Sequence, residues 1–246
     1  MNRPLCILSL ILLTFYDYAQ VSESFSDSTI ELSPVKWSGQ INDFKINGDH
    51  QLQSIGNSAG VSLIHTPFLL STSMEWQFWI RLNFAPSESN RLRIYLQSND
   101  TTFSKADAYY IELGDNGNLD AIKFYRQSLG KAILLAEGTS GAVSSETLIA
   151  RLKINKSTTG YWTLNADYHG NNDFIEEWSL LDTTFQMQQP SYFALQCLYT
   201  STRKDKFLFD DIFIHPDSAD HTPLRIDRVT SDSNEVKLYF NKPVDS

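Results

Sequence analysis

A chain of 246 residues, 41% hydrophobic and 20% charged, is long enough for one large β-sandwich or two small domains and too apolar to stay disordered. Its net charge of −9 is spread without a block of one sign, which disfavours a nucleic-acid partner, because phosphate binding needs a basic face. Aromatic residues make up 13%, a share that suits pleated, half-buried strands.

The first residues read as an export signal rather than as part of a fold. Arg3 supplies a positive start, Leu5 to Phe15 is an apolar run, and Ala19 precedes a cleavage point before Gln20. The run falls short of the roughly 20 apolar residues that a membrane-spanning helix needs, so residues 1–19 are expected to be removed, with no transmembrane segment after cleavage. Cys6 leaves with the signal and Cys197 remains as a lone thiol in an apolar strand, so no internal disulfide can brace the mature fold.

From Ser22 to Ile214 alternating runs and turn signals recur, and no long helix is predicted. Met74 to Phe84 is the clearest strand. Met74, Trp76, Phe78, Ile80, Leu82 and Phe84 share one parity, and Glu75, Gln77, Arg81 and Asn83 the other. Further strands are expected at Arg91 to Gln97, Ala108 to Leu113, Ala121 to Gln127, Ala132 to Ala136 and Leu148 to Ile154. Tyr161 to Tyr168, Ser191 to Tyr199 and Phe207 to Ile214 follow. Gly114-Asp115-Asn116-Gly117-Asn118, Gly138 to Gly141 and Ser157 to Gly160 tolerate positive φ and mark reversals. Many short strands divided by turns predict an all-β sandwich or barrel spanning residues 20–214, with helix confined to a turn near Thr183 to Gln188. Residues 215–223 are polar, hold two prolines and read as a linker. Leu224 to Thr230 and Glu235 to Phe240 then look like two strands of a second, incomplete unit over residues 224–246.

Glu23-Ser24-Phe25-Ser26-Asp27, Trp37-Ser38-Gly39 with Asp43-Phe44, and Glu75-Trp76-Gln77-Phe78-Trp79-Ile80-Arg81-Leu82 carry a resemblance, joined by Phe124-Tyr125-Arg126-Gln127, Trp162-Thr163-Leu164 and Phe209-Asp210-Asp211-Ile212. Together they resemble the N-terminal module of lamin tail domain-containing bacterial surface proteins. The resemblance implies a concanavalin A-like jelly roll of two stacked antiparallel sheets. It also implies that Thr222-Pro223-Leu224 and Phe240 to Asp245 open an Ig-like domain.

Catalytic patterns are absent. Jelly-roll glycosidases place two carboxylates about 5 to 5.5 Å apart when retaining, and no Glu-x-Asp-x-x-Glu pattern supplies them. Glu176 and Glu177 are neighbours, which on a strand point to opposite faces. The histidines lack metal-ligand spacing, and neither Gly-x-Ser-x-Gly nor a phosphate loop occurs.

Two constellations remain. Asp210 and Asp211 interrupt an apolar strand. In a jelly roll the last strand commonly lies beside the first, bringing Asp210 and Asp211 near Glu23 and Asp27, a set of hard oxygen ligands for a structural calcium. The competing reading has these aspartates accept backbone N–H groups or pair with Arg203, Lys204 or Lys206. The second constellation is the parity opposite the core on four successive strands: Trp79, Arg81 and Asn83; Arg93 and Tyr95; Tyr110 and Glu112; Lys123 and Tyr125. Aromatic rings that cover the apolar face of a sugar beside polar groups for its hydroxyls make a carbohydrate site. The same residues also suit the solvated side of an ordinary sheet. The sequence thus predicts a secreted or cell-surface, non-catalytic recognition module, with carbohydrate or another cell-surface component as its partner. A structural spacer is the first alternative and a glycoside hydrolase the second.

Overall fold

The computed structural model describes residues 21–117, 119–185, 189, 191–217, 226–231 and 236–240. The expected export signal lies outside these residues, as do most of the expected linker and much of the C-terminal unit.

The alternation read in the sequence becomes strands in chain order. They are β1 (Val21–Glu23), β2 (Ser38–Gly39), β3 (Phe44–Ile46), β4 (Leu52–Ser54), β5 (Gly60–Phe68) and β6 (Met74–Leu82). β7 (Arg91–Ser98), β8 (Ala108–Leu113), β9 (Lys123–Ser128), β10 (Lys131–Glu137), β11 (Leu148–Lys156) and β12 (Tyr161–Asp167) continue the series. β13 (Ile175–Leu181), β14 (Ser191–Tyr199), β15 (Phe207–Pro216), β16 (Ile226–Ser231) and β17 (Val236–Phe240) complete it. Helix among the described residues is limited to single 3-10 turns at Ile30–Leu32 and Ile41–Asp43.

Two antiparallel sheets stack face to face. The first runs β13-β12-β11-β6-β15-β4-β3, with β1 also paired to β15, and the second runs β10-β9-β8-β7-β14-β5-β2. This is the jelly-roll β-sandwich that the sequence predicts. Among the described residues β16 and β17 pair with each other alone, as a two-stranded antiparallel sheet. β15 continues through His215 and Pro216, opposite Glu75 and Met74, and the Asp217 N–H donates to Ser73 O at 3.2 Å. The first sheet therefore extends two residues past the expected start of the linker.

The space between the sheets is filled by the inward parity of each strand. On β6 the residues Met74, Trp76, Phe78, Ile80 and Leu82 are all buried. At one end of this core the aromatic rings stack across the sandwich. Trp76 lies on Trp162 at 5.6 Å and 13°, Trp162 meets Tyr109 at 4.8 Å, and Phe124 stacks on Trp178 at 4.6 Å. Trp76, Trp162 and Trp178 belong to the first sheet, Tyr109 and Phe124 to the second. With the only described cysteine a buried free thiol, Cys197, this packing must hold the sheets together. Burial pushes that thiol well above its usual pKa, the inert state expected of it.

β5 and β13 escape sequence pattern reading for a physical reason. β5 turns Ser62 and Thr66 inward beside Ile64 and Phe68, and Val61 and Leu63 outward, so apolar residues fall on both parities and the alternation is lost. Ser62 is tolerated because it donates to Asp43 Oδ2 at 2.7 Å and shares a hydrogen bond with the Tyr199 hydroxyl. β13 is an edge strand that presents Ile175 and Leu181 to solvent.

Truncating Trp162 to alanine removes the central ring of the stack and is expected to cost roughly 3–5 kcal/mol of folding stability. Denaturant unfolding measures this, and a loss under about 1 kcal/mol would show that the stack does not carry the fold.

Candidate functional site

The residues expected on one wet face occupy two. β6 pairs with β11 and β15, whereas β7 pairs with β8 and β14. The connection after β6 therefore crosses from the first sheet to the second. Trp79, Arg81 and Asn83 lie on the outer side of the first sheet. Arg93, Tyr95, Tyr110, Glu112, Lys123 and Tyr125 lie on the outer side of the second. β7, β8 and β9 are neighbours in space as they are in sequence, but the jelly-roll order places β6 in the other sheet.

On the second sheet two cross-strand rows run side by side. Gln196 lies opposite Arg93, Arg93 opposite Glu112, and Glu112 opposite Lys123. In the next row Ala194 is opposite Tyr95, Tyr95 opposite Tyr110, and Tyr110 opposite Tyr125. The charges are interlocked. Arg93 Nε donates to Glu112, Arg91 stands 3.9 Å from the same carboxylate, and Lys123 bridges Asp115 and, at 3.8 Å, Glu137. The Arg93 guanidinium sits 5.1 Å over the Tyr110 ring, which stacks on Tyr125 at 5.1 Å and 17°. Gly114 lets the strand end turn tightly here, since its φ is +114° and a Cβ would meet Arg91 Cβ at 2.7 Å.

Half of this face is closed. The loop between β7 and β8 lays Phe103 on Tyr95 at 4.9 Å and on His65 at 5.6 Å. Gln127 Nε2 secures the loop by donating to Phe103 O and, at 3.2 Å, to Ala106 O. Tyr95 and Tyr110, expected to be solvated platforms, are each only 1% exposed, in a small apolar cluster with Phe103, Ala108 and Ala194. Tyr125, Arg93, Lys123 and Gln196 stay partly exposed beside it. Burial raises the pKa of Tyr110 and Tyr125, so both phenols remain neutral hydroxyls. Burial lowers that of His65, whose Nδ1 has no partner among the described residues. Gln196 and Phe103 were missed. The alternation of Tyr192, Ala194, Gln196 and Leu198 against Phe193, Leu195 and Cys197 could have exposed Gln196, but nothing in the sequence announces that β14 inserts beside β7.

On the first sheet, Trp79 is partly exposed between Arg151 of β11 and Asp210 of β15. Arg81 Nε donates to Asn83 Oδ1 at 2.7 Å. β15 bulges between Asp210 and Phe213, with Asp211 at a φ of 49°. The bulge turns Asp211 toward Arg151, 2.9 Å away, and its N–H donates to Asp210 Oδ1 at 2.8 Å.

β1 does lie beside β15, with Glu23 opposite Ile212, so the expected approach of Glu23 to the aspartates is present. Its carboxylate is already engaged, accepting from the Phe25 N–H at 2.8 Å, the Ser33 hydroxyl and the Trp37 indole at 3.3 Å. Arg151, rather than Arg203, Lys204 or Lys206, partners the bulge. Asp27, partly exposed, joins none of these contacts. Among the described residues no group of three or more His, Cys, Asp or Glu side chains is arranged to hold a metal. Glu176 and Glu177 point apart as expected: the first accepts from Ser179 at 2.8 Å, the second from the Thr139 N–H at 2.6 Å and Tyr168 at 3.1 Å.

No protein-family profile matches the sequence, and no curated protein does. Solved structures do. The chain is similar to the Emp47p carbohydrate recognition domain, with a TM-score of 0.60 at 8% identity over 80% of this chain and 94% of that one. It is similar to the Ca2+/Man-bound exoplasmic/lumenal domain of VIP36, with a TM-score of 0.59 at 11% identity over 87% and 92%. A lectin from Bauhinia forficata in complex with GalNAc gives 0.53 at 10% identity over 80% and 97%. Likeness at such low identity establishes the shared concanavalin A-like sandwich. No helix among the described residues is long and apolar enough to cross a membrane.

Burial, reinforced by the charges of Asp211 and Glu23 and opposed by the Asp211 N–H and Arg151, pushes the Asp210 carboxyl up to about 6. A folded pKa above the unfolded value of about 3.9 means that the native state holds more protons between the two, so stability falls as pH rises through that window. Asp210→Asn keeps an acceptor for the Asp211 N–H and removes the titration. Its melting advantage over the wild type is expected to grow from about pH 4 to pH 6 and level off above. A difference that stays constant across this range would overturn the assignment.

Proposed function

We propose that this chain is an exported, non-catalytic carbohydrate-recognition module that binds a glycan on the outer face of the second sheet. The observation that carries the reading is the polar row Gln196–Arg93–Glu112–Lys123 running beside the half-open Tyr125 ring. Tyr125 offers a flat apolar surface to the C–H side of a sugar, and the polar row offers donors and acceptors for its hydroxyls. Glu112, tied to Arg93, acts as a fixed acceptor rather than an acid catalyst. The similar structures, a carbohydrate recognition domain, a Ca2+/Man-bound domain and a lectin in complex with GalNAc, support the ligand class. In this reading the module is one part of a surface protein of the lamin tail domain-containing kind, led by a signal over residues 1–19 and followed, past a linker, by an Ig-like unit.

The spacer reading has its own support, because the Phe103 loop closes the Tyr95–Tyr110 half of the face. Binding of the full chain to a glycan array separates the two. Tyr125→Ala is expected to abolish binding while the melting temperature falls by only about 2–4 °C. Arg93→Ala is expected to weaken binding by about 1–3 kcal/mol through an unpaired Glu112 and sugar hydroxyl. Trp79→Ala, on the opposite sheet, should leave binding intact. Loss on Trp79→Ala alone would move the site to the first sheet, and a wild type that binds no glycan would make the chain a spacer. Because the carboxylates around Asp211 already have protein donors, a chelator is expected to leave the melting temperature unchanged. A chelator-induced drop that Asp211→Ala abolishes would restore calcium there.

A further inference from the structure

A cleft of about 460 Å³ opens where three connections meet at one end of the sandwich, away from either sheet face. Its size falls within the range of small-molecule sites, roughly 300–1,000 Å³. One wall is the β5–β6 connection with Leu70, Ser71 and Thr72, a second the β11–β12 turn with Thr158, Thr159 and Gly160, and a third the segment after β13 with Thr183 and Phe185. Lys156, the last residue of β11, lines it as well.

The walls are fixed. Gly160 has a φ of +80, and a Cβ there would stand 2.7 Å from Thr183 Cγ2 and 2.9 Å from Asp182 O. The Asp182 N–H donates to Gly160 O at 3.0 Å, and Ser157 Oγ accepts from the N–H groups of Thr159 and Tyr161 at 3.2 and 3.1 Å. Asp182, also on the cleft, is committed to the protein. It accepts from the Tyr109 hydroxyl at 2.6 Å, the Thr184 N–H at 2.9 Å and Arg126.

Lys156 differs. Its Nζ lies 5.9 Å from the Trp162 ring centroid, and among the described residues no carboxylate lies within 4.0 Å of it. Burial alone pulls its pKa below the ordinary lysine value, with no compensating negative charge. A half-buried cation without an anion, in a cleft rich in hydroxyls, lacks only the anion. The Ser71, Thr72, Thr158 and Thr183 hydroxyls likewise have no protein partner among the described residues.

We propose that this cleft is a binding site for a hexuronate, whose carboxylate pairs with Lys156 while its ring hydroxyls meet the threonine and serine side chains. A neutral sugar would leave Lys156 uncompensated, and a simple carboxylate would leave the hydroxyls unused. The site shares no residue with the face of the second sheet, so it stands or falls separately from the reading above.

The test is titration calorimetry of the full chain with sodium D-galacturonate, D-galactose and sodium acetate. Galacturonate should bind at least about tenfold more tightly than either control. Lys156→Met, which keeps an apolar stem over Trp162, should weaken galacturonate by about tenfold or more and leave galactose unchanged. Thr158→Val, an exposed turn residue, gives a second reading should Lys156→Met fold poorly, with a smaller loss in the same direction. Tyr125→Ala should change nothing here. Trigalacturonate separates two sources of the same chemistry: binding as tight as the monosaccharide identifies a glycan end, exclusion identifies the free acid, and either supports the site. Equal affinity for galacturonate and galactose, or unaltered galacturonate affinity in both Lys156→Met and Thr158→Val, would overturn it.

Discussion

The aromatic stack between the sheets is the interaction on which the rest of this structure depends. It does what a disulfide does in many secreted domains, joining the two layers where neither could be stable alone. It also carries a cost, since the indole N–H groups of Trp76, Trp162 and Trp178 are buried without a hydrogen-bond partner among the described residues. Ring-on-ring contact must outweigh that cost. The stack then organises its surroundings. The Tyr109 ring belongs to the core, yet its hydroxyl reaches Asp182 and so fixes the segment that forms one wall of the end cleft. Trp162 likewise lies under Lys156, which lines the same cleft. Packing in the core and chemistry at the end of the sandwich thus share residues.

β15 plays the corresponding part at the seam. It is flanked by β6 on one side and by β1 and β4 on the other, so one strand joins the start, the middle and the end of the domain. A strand so placed cannot remain flat along its whole length, and the bulge at Asp210–Asp211 absorbs the mismatch. The left-handed Asp211 is an uncommon conformation for a residue with a side chain, held here by Arg151 on one side and the Asp210 carboxylate on the other. The two aspartates that stand out in an apolar strand therefore have a structural account: one turns the bulge and the other caps it.

Much of this was legible in the residues. Period-two alternation places β6 within two residues and β14 at its observed bounds, because each turns a fully buried parity to the core, while β8 is placed correctly although all six of its residues are buried. The end-strand adjacency that brings Glu23 toward Asp210 also follows from the jelly-roll expectation. What alternation cannot encode is which sheet a strand joins. Trp79 and Tyr95 share the outward parity, but parity is relative to the core, and two sheets facing one core have outward sides that look in opposite directions. The single wet face expected from four successive strands was split for that reason. Lys156 stayed hidden because β11 runs two residues beyond the last clear apolar position, Ile154. Its significance comes from loops distant in sequence, at Ser71 and Thr183, which no local pattern connects.

The Phe103 loop decides what kind of surface the second sheet can present. By covering Tyr95 and Tyr110 it converts what would be a broad aromatic plane into a strip of Tyr125 and the polar row, set beside a hydrophobic ridge. Within that strip the side chains have little freedom left. Arg93 is held by Glu112 and by the Tyr110 ring, and Tyr125 rests on the buried Tyr110. Side chains already ordered in the free protein need not be ordered again on binding, which lowers the entropic cost for a small ligand. The same burial that removes two tyrosines from contact with solvent stiffens the polar row beside them.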